Sequence, residues 1–453
     1  MAQLSLLEKN AYISIIIKDN GIWTHLAYTD HNADREYILS DFTDLNNIRF
    51  TLDDDFFNNN FWYQYFDNLE KVFNWNIVDR SKEGLFTFRK FADEGDGITG
   101  MRIQIDDNQE YFDQIFKSVR DFSLDITLRV VDDKYMETLL KGLSQRLDYE
   151  DIMYIDMDLY DFSIYRVMDT YDKKKKVGQS FAKAEKSWPT EMSAIDSLKD
   201  SRFKAFLATD ISTRELTNLW SNFILDKPLV VSDRNVEDVI RSYMTIQNFS
   251  VYTDNKQKIE KFGMTFNKTA LIIGGTLPRI LGKKRTLLSI IDGLELAGEF
   301  DAIFDLDSRF LTFGKTYSTG LESTDIILTK KDFLTGITKV IIPDLPKEDK
   351  NKVIMEGIIE SVDITKKEFY VLTPNFSFIE LPRHKEKLLI EANFKNGAKL
   401  STSWDQKLNL ISVPNSKVYD SILVDARPRP IIYGPDAYTN KIKLQRWLDD
   451  YKA

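Results

Sequence analysis

Three stretches of this chain carry residue types suited to holding a phosphorylated ligand. Asp19-Asn20-Gly21 separates two apolar runs, Tyr12–Lys18 and Ile22–Tyr28. Asp156-Met157-Asp158-Leu159-Tyr160-Asp161 separates Met153-Tyr154-Ile155 from Ser163-Ile164-Tyr165. Ile272-Ile273-Gly274-Gly275-Thr276 ends a third apolar run ahead of a helix-like segment. At such tips backbone N–H groups bond phosphate oxygens, and Asp holds Mg²⁺ through its water shell. Glycine lets the main chain lie against a flat base and ribose, and a helix start nearby adds positive potential. Taken singly, each motif is an ordinary turn; their order along the chain is what carries information.

These tips need rigid elements beneath them. Asn-Gly between two β-rich runs predicts an opening hairpin from about Tyr12 to Tyr28. Phe61, Tyr65, Phe66, Leu69, Val72 and Phe73 recur at helical intervals, predicting a helix over Asn60–Trp75. Strands are predicted at Leu85–Phe91, Thr99–Ile105 and Asp125–Val131, and helices at Gln109–Phe122 and Lys134–Leu147. Asp151–Asp156 and Phe162–Met168 form a second hairpin. Lys186–Asp226 is helical in pattern, broken by Pro189, and Val236–Met244 is a helix with Asp233 as its N-cap. Thr269–Ile273 is a strand, Leu287–Leu296 a helix and Ala302–Leu306 a strand. From about Asp325 the pattern turns to strands, among them Val353–Ile364, Leu388–Phe394 and Leu408–Val413, and Lys441–Tyr451 reads as a docking helix. Alternating strands and helices imply an α/β fold.

Composition sets bounds. The chain has 453 residues, which suggests two or three domains. A net charge of −10 argues against a general nucleic-acid binder, which needs a basic face. Lys173–Lys176 is the one long basic run, a solvated loop or a contact for an anionic surface. With no Cys there is no disulfide or thiolate site, and His25, His31 and His384 show no metal-binding spacing. No run approaches the length of a spanning helix, so the expected setting is the cytoplasm. Arg427 and Arg429, in an Arg/Pro-rich turn after a strand, either bind a carboxylate or phosphate or belong to an extended connector and pair with surface acids.

The order of hairpin, α/β segment, hairpin, helices and strand-Gly-Gly resembles the actin, sugar kinase and DnaK-type chaperone superfamily. Asp19, Asn20 and Gly21 match its first phosphate loop, Asp156 the leading Asp of its second, and Ile272-Ile273-Gly274-Gly275 its adenosine motif. Thr269–Tyr317 is also similar to the chaperone-like actin homologues associated with glutamate mutase. The resemblance covers about residues 10–320. It implies a two-lobe, ribonuclease H-like core binding ATP and Mg²⁺, with Asp19 and Asp156 holding the metal and orienting water. Asn20, Gly21, Thr24, Asp158, Asp161, Ser163, Gly274, Gly275 and Thr276 would line the nucleotide. The chain departs from the pattern at Asp158, Leu159 and Tyr160, which replace the glycines of the second loop, and at Ile22 and Trp23, which replace the usual hydroxyl donors of the first, leaving Thr24 to donate. Asp158 and Asp161 add negative charge where phosphate would sit.

The resulting expectation is two actin-like lobes, 1–148 and 149–324, followed by a β-rich C-terminal domain, 325–453, with a terminal helix. The departures favour a degenerate, non-hydrolysing scaffold that contacts a protein partner and self-associates. The alternative is an active Mg-ATP-dependent ATPase of chaperone or reactivase type. A sugar or acetate kinase relative would need an acceptor-side base, for which no residue stands out.

Overall fold

In the computed structural model, the described residues are 11–18, 21–30, 35–44, 64–65, 68, 71–72, 102–105, 127–130, 133–159, 161–172, 175–187, 201–226, 233–254, 268–310, 335–346, 351–361, 364–382, 387–400, 407–412, 417–428, 442 and 444–445. The expected strand at 85–91 and helix at 109–122 lie outside them. The chain divides into one unit of Met1–Leu139 with Asp307–Thr329, and a second of Leu140–Leu306 with Lys330–Ala453.

In the first unit, β1 (Ala11–Lys18), β2 (Gly21–Asp30) and β3 (Arg35–Asp44) form an antiparallel sheet with β2 central. Lys18 pairs with Gly21, so the connection is Asp19-Asn20 and Gly21 already belongs to β2. β4 (Arg102–Ile105) runs parallel to β5 (Thr127–Val130) and lies beside β1. Four successive residues of β2, Ile22 to His25, are buried, so both faces of this strand are covered. The helix expected around 60–75 is described at five positions, and its Tyr65 is buried as the periodicity predicts.

His25 has a measurable consequence. Burial, aided by the charge of Arg309, pushes its pKa down to about 3, against a weaker opposing hydrogen bond to the Asp307 backbone. The folded imidazole stays neutral while the unfolded one takes up a proton below about 6.5. The unfolded state therefore binds more protons between those values, and stability falls as pH drops through that window. The slope is up to about 1.4 kcal/mol per pH unit for one proton. Urea midpoints are expected to fall from pH 7.5 to pH 5.5, and His25→Gln is expected to flatten that trend.

α1 (Asp133–Leu147) spans the boundary at Leu139, and in the second unit β6 (Asp151–Met157), β7 (Asp161–Asp172) and β8 (Lys175–Ser187) follow as an antiparallel meander. α2 (Ser201–Phe206), α3 (Thr213–Asp226) and α4 (Arg234–Asp254) follow. α3 starts in a capping box: the Glu215 N–H donates to Ser212 Oγ, and the Ser212 N–H to the Glu215 carboxylate. Asp233 caps α4, as its sequence position suggests, by accepting from Asn235 N at 2.7 Å. The helical pattern read from Lys186 starts later than expected, because β8 extends to Ser187. β9 (Thr269–Gly274) returns parallel to β6, α5 (Thr276–Leu281) and α6 (Lys283–Leu294) follow, and β10 (Gly298–Asp305) adds parallel to β9.

The C-terminal third supplies strands to two sheets. β11 (Thr335–Ile342), β14 (Phe376–Glu380) and β17 (Val418–Asp425) extend the main sheet, whose order is β14-β17-β11-β10-β9-β6-β7-β8. β12 (Val353–Ser361), β13 (Ile364–Leu372), β15 (Leu388–Phe394) and β16 (Lys407–Ser412) form an antiparallel sheet in the order β13-β12-β15-β16. Along β15 and β16 buried and exposed residues alternate, the signature of a sheet with one solvated face. Of the expected terminal helix, Leu444 is buried and Ile442 exposed.

Alternation on the main strands sets the layers. Met153, Ile155 and Met157 of β6 and Leu271 and Ile273 of β9 join one core with Trp220 of α3, Tyr243 of α4 and Leu287 of α6. The intervening residues Ile152, Tyr154 and Asp156 point to the opposite face. On β10, buried Asp301 accepts from Tyr149 Oη at 2.6 Å and from Lys417 Nζ at 3.0 Å, with Lys339 Nζ 3.3 Å away. Burial alone would raise the Asp301 pKa, but Lys339 and Lys417 outweigh it and hold the carboxyl below its usual range. This ion cluster ties β10, β11 and the start of β17 together.

Candidate functional site

The second hairpin tip and the Gly-Gly turn meet. β6 and β9 pair in parallel with Asp156 opposite Gly274, so both end at the carboxyl edge of the sheet. In open α/β sheets ligands lie outside this edge. Ser163 pairs with Asp156 from the other side, and Asp305 pairs with Gly274 across β10. One row therefore runs Ser163, Asp156, Gly274, Asp305, with side chains on a single face. Asp305 is buried, and Tyr154 Oη donates to it over a long 3.4 Å. A side chain at Gly274 would press on the Tyr154 ring. The sequence signal for Asp305 was present in Ile303-Phe304-Asp305, but its place beside Gly274 depends on register, which spacing does not give.

The tip itself is folded inward. The Asp158 N–H donates to the Asp161 carbonyl at 2.9 Å and closes the turn. Leu159 is fully buried, and its carbonyl accepts from Tyr243 Oη at 2.9 Å. The Asp158 carboxylate reaches across to accept the Thr276 N–H at 2.7 Å. Thr276 opens α5 directly after Gly275, whose φ is 98°. A Cβ at Gly275 would lie 2.5 Å from the carbon and nitrogen of the Met157 main chain, so backbone meets backbone here beside the Asp158 bond. Asp161 is exposed and Ser163 half-buried.

ATP and Mg²⁺, which the resemblance implies, can be tested against these residues. A phosphate oxygen at the Thr276 N–H would have to displace Asp158 Oδ1 or face it. Two such charges about 4 Å apart repel by about 4 kcal/mol near a protein surface. Leu159 stands where the resemblance expects a glycine, and its side chain is fully buried. The second-unit turn, as built, does not fit a phosphate.

Asp19 and Asn20 are outside the described residues. Gly21 opens β2 in the first unit, and Thr24 is fully buried with its hydroxyl bonded to Tyr65 Oη. Arg427 pairs with acids, as one of its two readings expects, but those acids are buried and not on the surface. Its guanidinium bonds Asp425 at 2.7 Å and Asp292 at 2.7 and 3.2 Å, all three groups fully buried. Arg429 is outside the described residues.

The topology decides the fold. In the second unit an antiparallel meander is followed by two strands parallel to its first, giving the order β8-β7-β6-β9-β10. The first unit repeats the scheme, with the meander β3-β2-β1 and the parallel pair β4-β5 beside β1. Two such ribonuclease H-like units make an actin-like core. The fold is actin-like.

No family model matches the chain, and no curated protein matches it. Solved structures of similar topology include a Bacteroides thetaiotaomicron protein with actin-like ATPase fold and unknown function. It is 9% identical, with a TM-score of 0.28 over 67% of this chain and 96% of that one. A non-polymerisable quadruple mutant of pCBH ParM is 12% identical, with a TM-score of 0.29 over 62% of this chain and 92% of that one. An Aquifex aeolicus PPX-GPPA enzyme is 10% identical, with a TM-score of 0.27 over 59% of this chain and 68% of that one. In this actin-like chain the extra strands β11 to β17 lie beyond the shared five-strand scheme.

Proposed function

We propose that this actin-like chain is a structural or assembly component that contacts a protein partner and does not turn over ATP. The observation that carries the reading is the Asp158 carboxylate on the Thr276 N–H. It gives the Gly-Gly turn an internal anion where a nucleotide phosphate would need the same donor. The added strands of the C-terminal third supply surface for a partner. A cytoplasmic setting belongs to the same proposal; no helix among the described residues is long and apolar enough to cross a membrane.

A thermal-shift assay tests it. A ligand at 100 times its Kd adds about 2.7 kcal/mol to the folded state, which raises Tm by several degrees. With millimolar Mg-ATP or Mg-ADP the Tm is expected to stay unchanged. The ATPase reading keeps one observation in its favour, the Asp156 and Asp305 carboxylates flanking Gly274. A rise in Tm with Mg-ATP that disappears in Asp156→Ala would show that nucleotide binds at this edge despite Asp158. Phosphate release by the same sample would then establish the ATPase reading and overturn the scaffold.

A further inference from the structure

A carboxylate at a hairpin tip ordinarily stands in water, but Asp158 is only 6% exposed. It accepts the Thr276 N–H at 2.7 Å, within the range of a charge-assisted bond, from a residue 118 positions away. The main chain on both sides of that bond is fixed by other means. The Asp158 N–H donates to the Asp161 carbonyl, and the Leu159 carbonyl accepts from Tyr243 Oη on α4. One residue earlier, Met157 Sδ lies 3.5 Å from Asn248 Nδ2, also on α4. On the other loop, the Gly275 main chain packs on that of Met157. The two loops are therefore held by contacts other than this carboxylate, which spans from one to the other.

A group in this position does what a bound oxyanion would do. It gives a main-chain N–H a negatively charged acceptor, and its charge repels a second anion from the same donor. It also competes at an advantage. A group tethered within the chain acts at an effective concentration of millimolar or above, so a free anion of millimolar affinity does not displace it. The Leu159 side chain is fully buried as well, so shape is the rival cause of closure. Charge and shape predict different results once the carboxylate is removed.

We propose that Asp158 is an autoinhibitory contact: the chain's own carboxylate takes the place of a small oxyanion at the Thr276 N–H, and once it is removed a free carboxylate takes that place. The inference rests on the reading above and deepens it, by naming charge occupancy at one residue as what bars this edge.

Amide hydrogen exchange at Thr276 in the full chain reads the place itself. Formate is the probe, because Asp158→Ala removes one carboxylate and formate supplies one. In chloride, the Thr276 amide of Asp158→Ala is expected to exchange about tenfold faster than in the parent, or more. Formate at the same ionic strength is expected to slow that exchange toward the parental rate. Asp158→Asn keeps an acceptor oxygen in the same place, so it is expected to stay protected and, like the parent, to show no response to formate. If Asp158→Ala does not fold in chloride, the comparison is read as its refolding yield in formate against chloride. Exchange that does not rise in Asp158→Ala overturns the proposal. So does a variant that formate does not protect, because shape then closes the edge, and so does equal protection of parent and variant, because formate then acts elsewhere. The scaffold reading has its own measurement in the response of the parent to Mg-ATP, so the two fail separately.

Discussion

Arg427→Leu is expected to lower the stability of the second unit by about 3–5 kcal/mol, read as a fall in the urea midpoint at constant m-value. Arg427 is fully buried and bonds two carboxylates, Asp425 at the end of β17 and Asp292 on α6, that are equally buried. Burial alone would push its pKa down; the two aspartates overcome this and hold the guanidinium firmly charged. It also lies 4.9 Å from the centre of the Phe376 ring on β14. Removing the cation leaves two buried negative charges without their counter-ion, although the main-chain N–H at position 427 still donates to Asp425, and the loss comes from that uncompensated charge more than from the pair itself. The triple change Arg427→Leu, Asp292→Asn and Asp425→Asn therefore separates the causes. It is expected to recover part of the loss, because the amides remain buried polar groups but carry no charge. A triple variant no more stable than Arg427→Leu would mean that shape, not charge, holds β14, β17 and α6 together.

That triad shows where the sequence was readable and where it was not. The run Ile422 to Asp425 reads as a strand, and β17 is one. Its partners do not follow from pattern, since β17 pairs in parallel with β11 some 80 positions earlier and antiparallel with β14. A period of two says that a strand is half-buried but not which sheet it enters. The C-terminal third therefore reads as uniformly β-rich, while in space it is shared between the main sheet and a separate one. Local signals fared better. Asn-Gly located the opening hairpin, although Gly21 already belongs to β2, where it pairs with Lys18. Asp233 reads correctly as a cap because capping is decided within one helical turn. At the site, strand-Gly-Gly and the Asp156 hairpin were visible in advance, and β6 pairs directly with β9. The inward fold of Asp158 and Leu159 was not, because it depends on Thr276 and Tyr243, each more than 80 residues away.

Gly275→Ala tests whether the two loops at the carboxyl edge form one locked structure. Gly275 has φ of 98°, in the left-handed half of conformational space that an L side chain occupies only with strain. A methyl group there would meet the carbon and nitrogen of the Met157 main chain at 2.5 Å, and main chain cannot rotate aside. Met157 is the last residue of β6, paired with Phe162 and followed at once by Asp158. A shift that relieves the clash must move the hairpin tip, and with it the Asp158 bond to Thr276 and the buried Leu159. Strain and lost packing together are expected to cost about 3 kcal/mol or more. Gly282 supplies the control. Its φ is also positive, at 80°, but nothing lies within 4 Å of a Cβ built on it. Gly282→Ala should then cost only the backbone term, about 1–3 kcal/mol. Urea unfolding of the two variants separates contact from conformation. Equal losses would show that the close approach of the loops contributes nothing, and that the turn holds its shape by backbone preference alone.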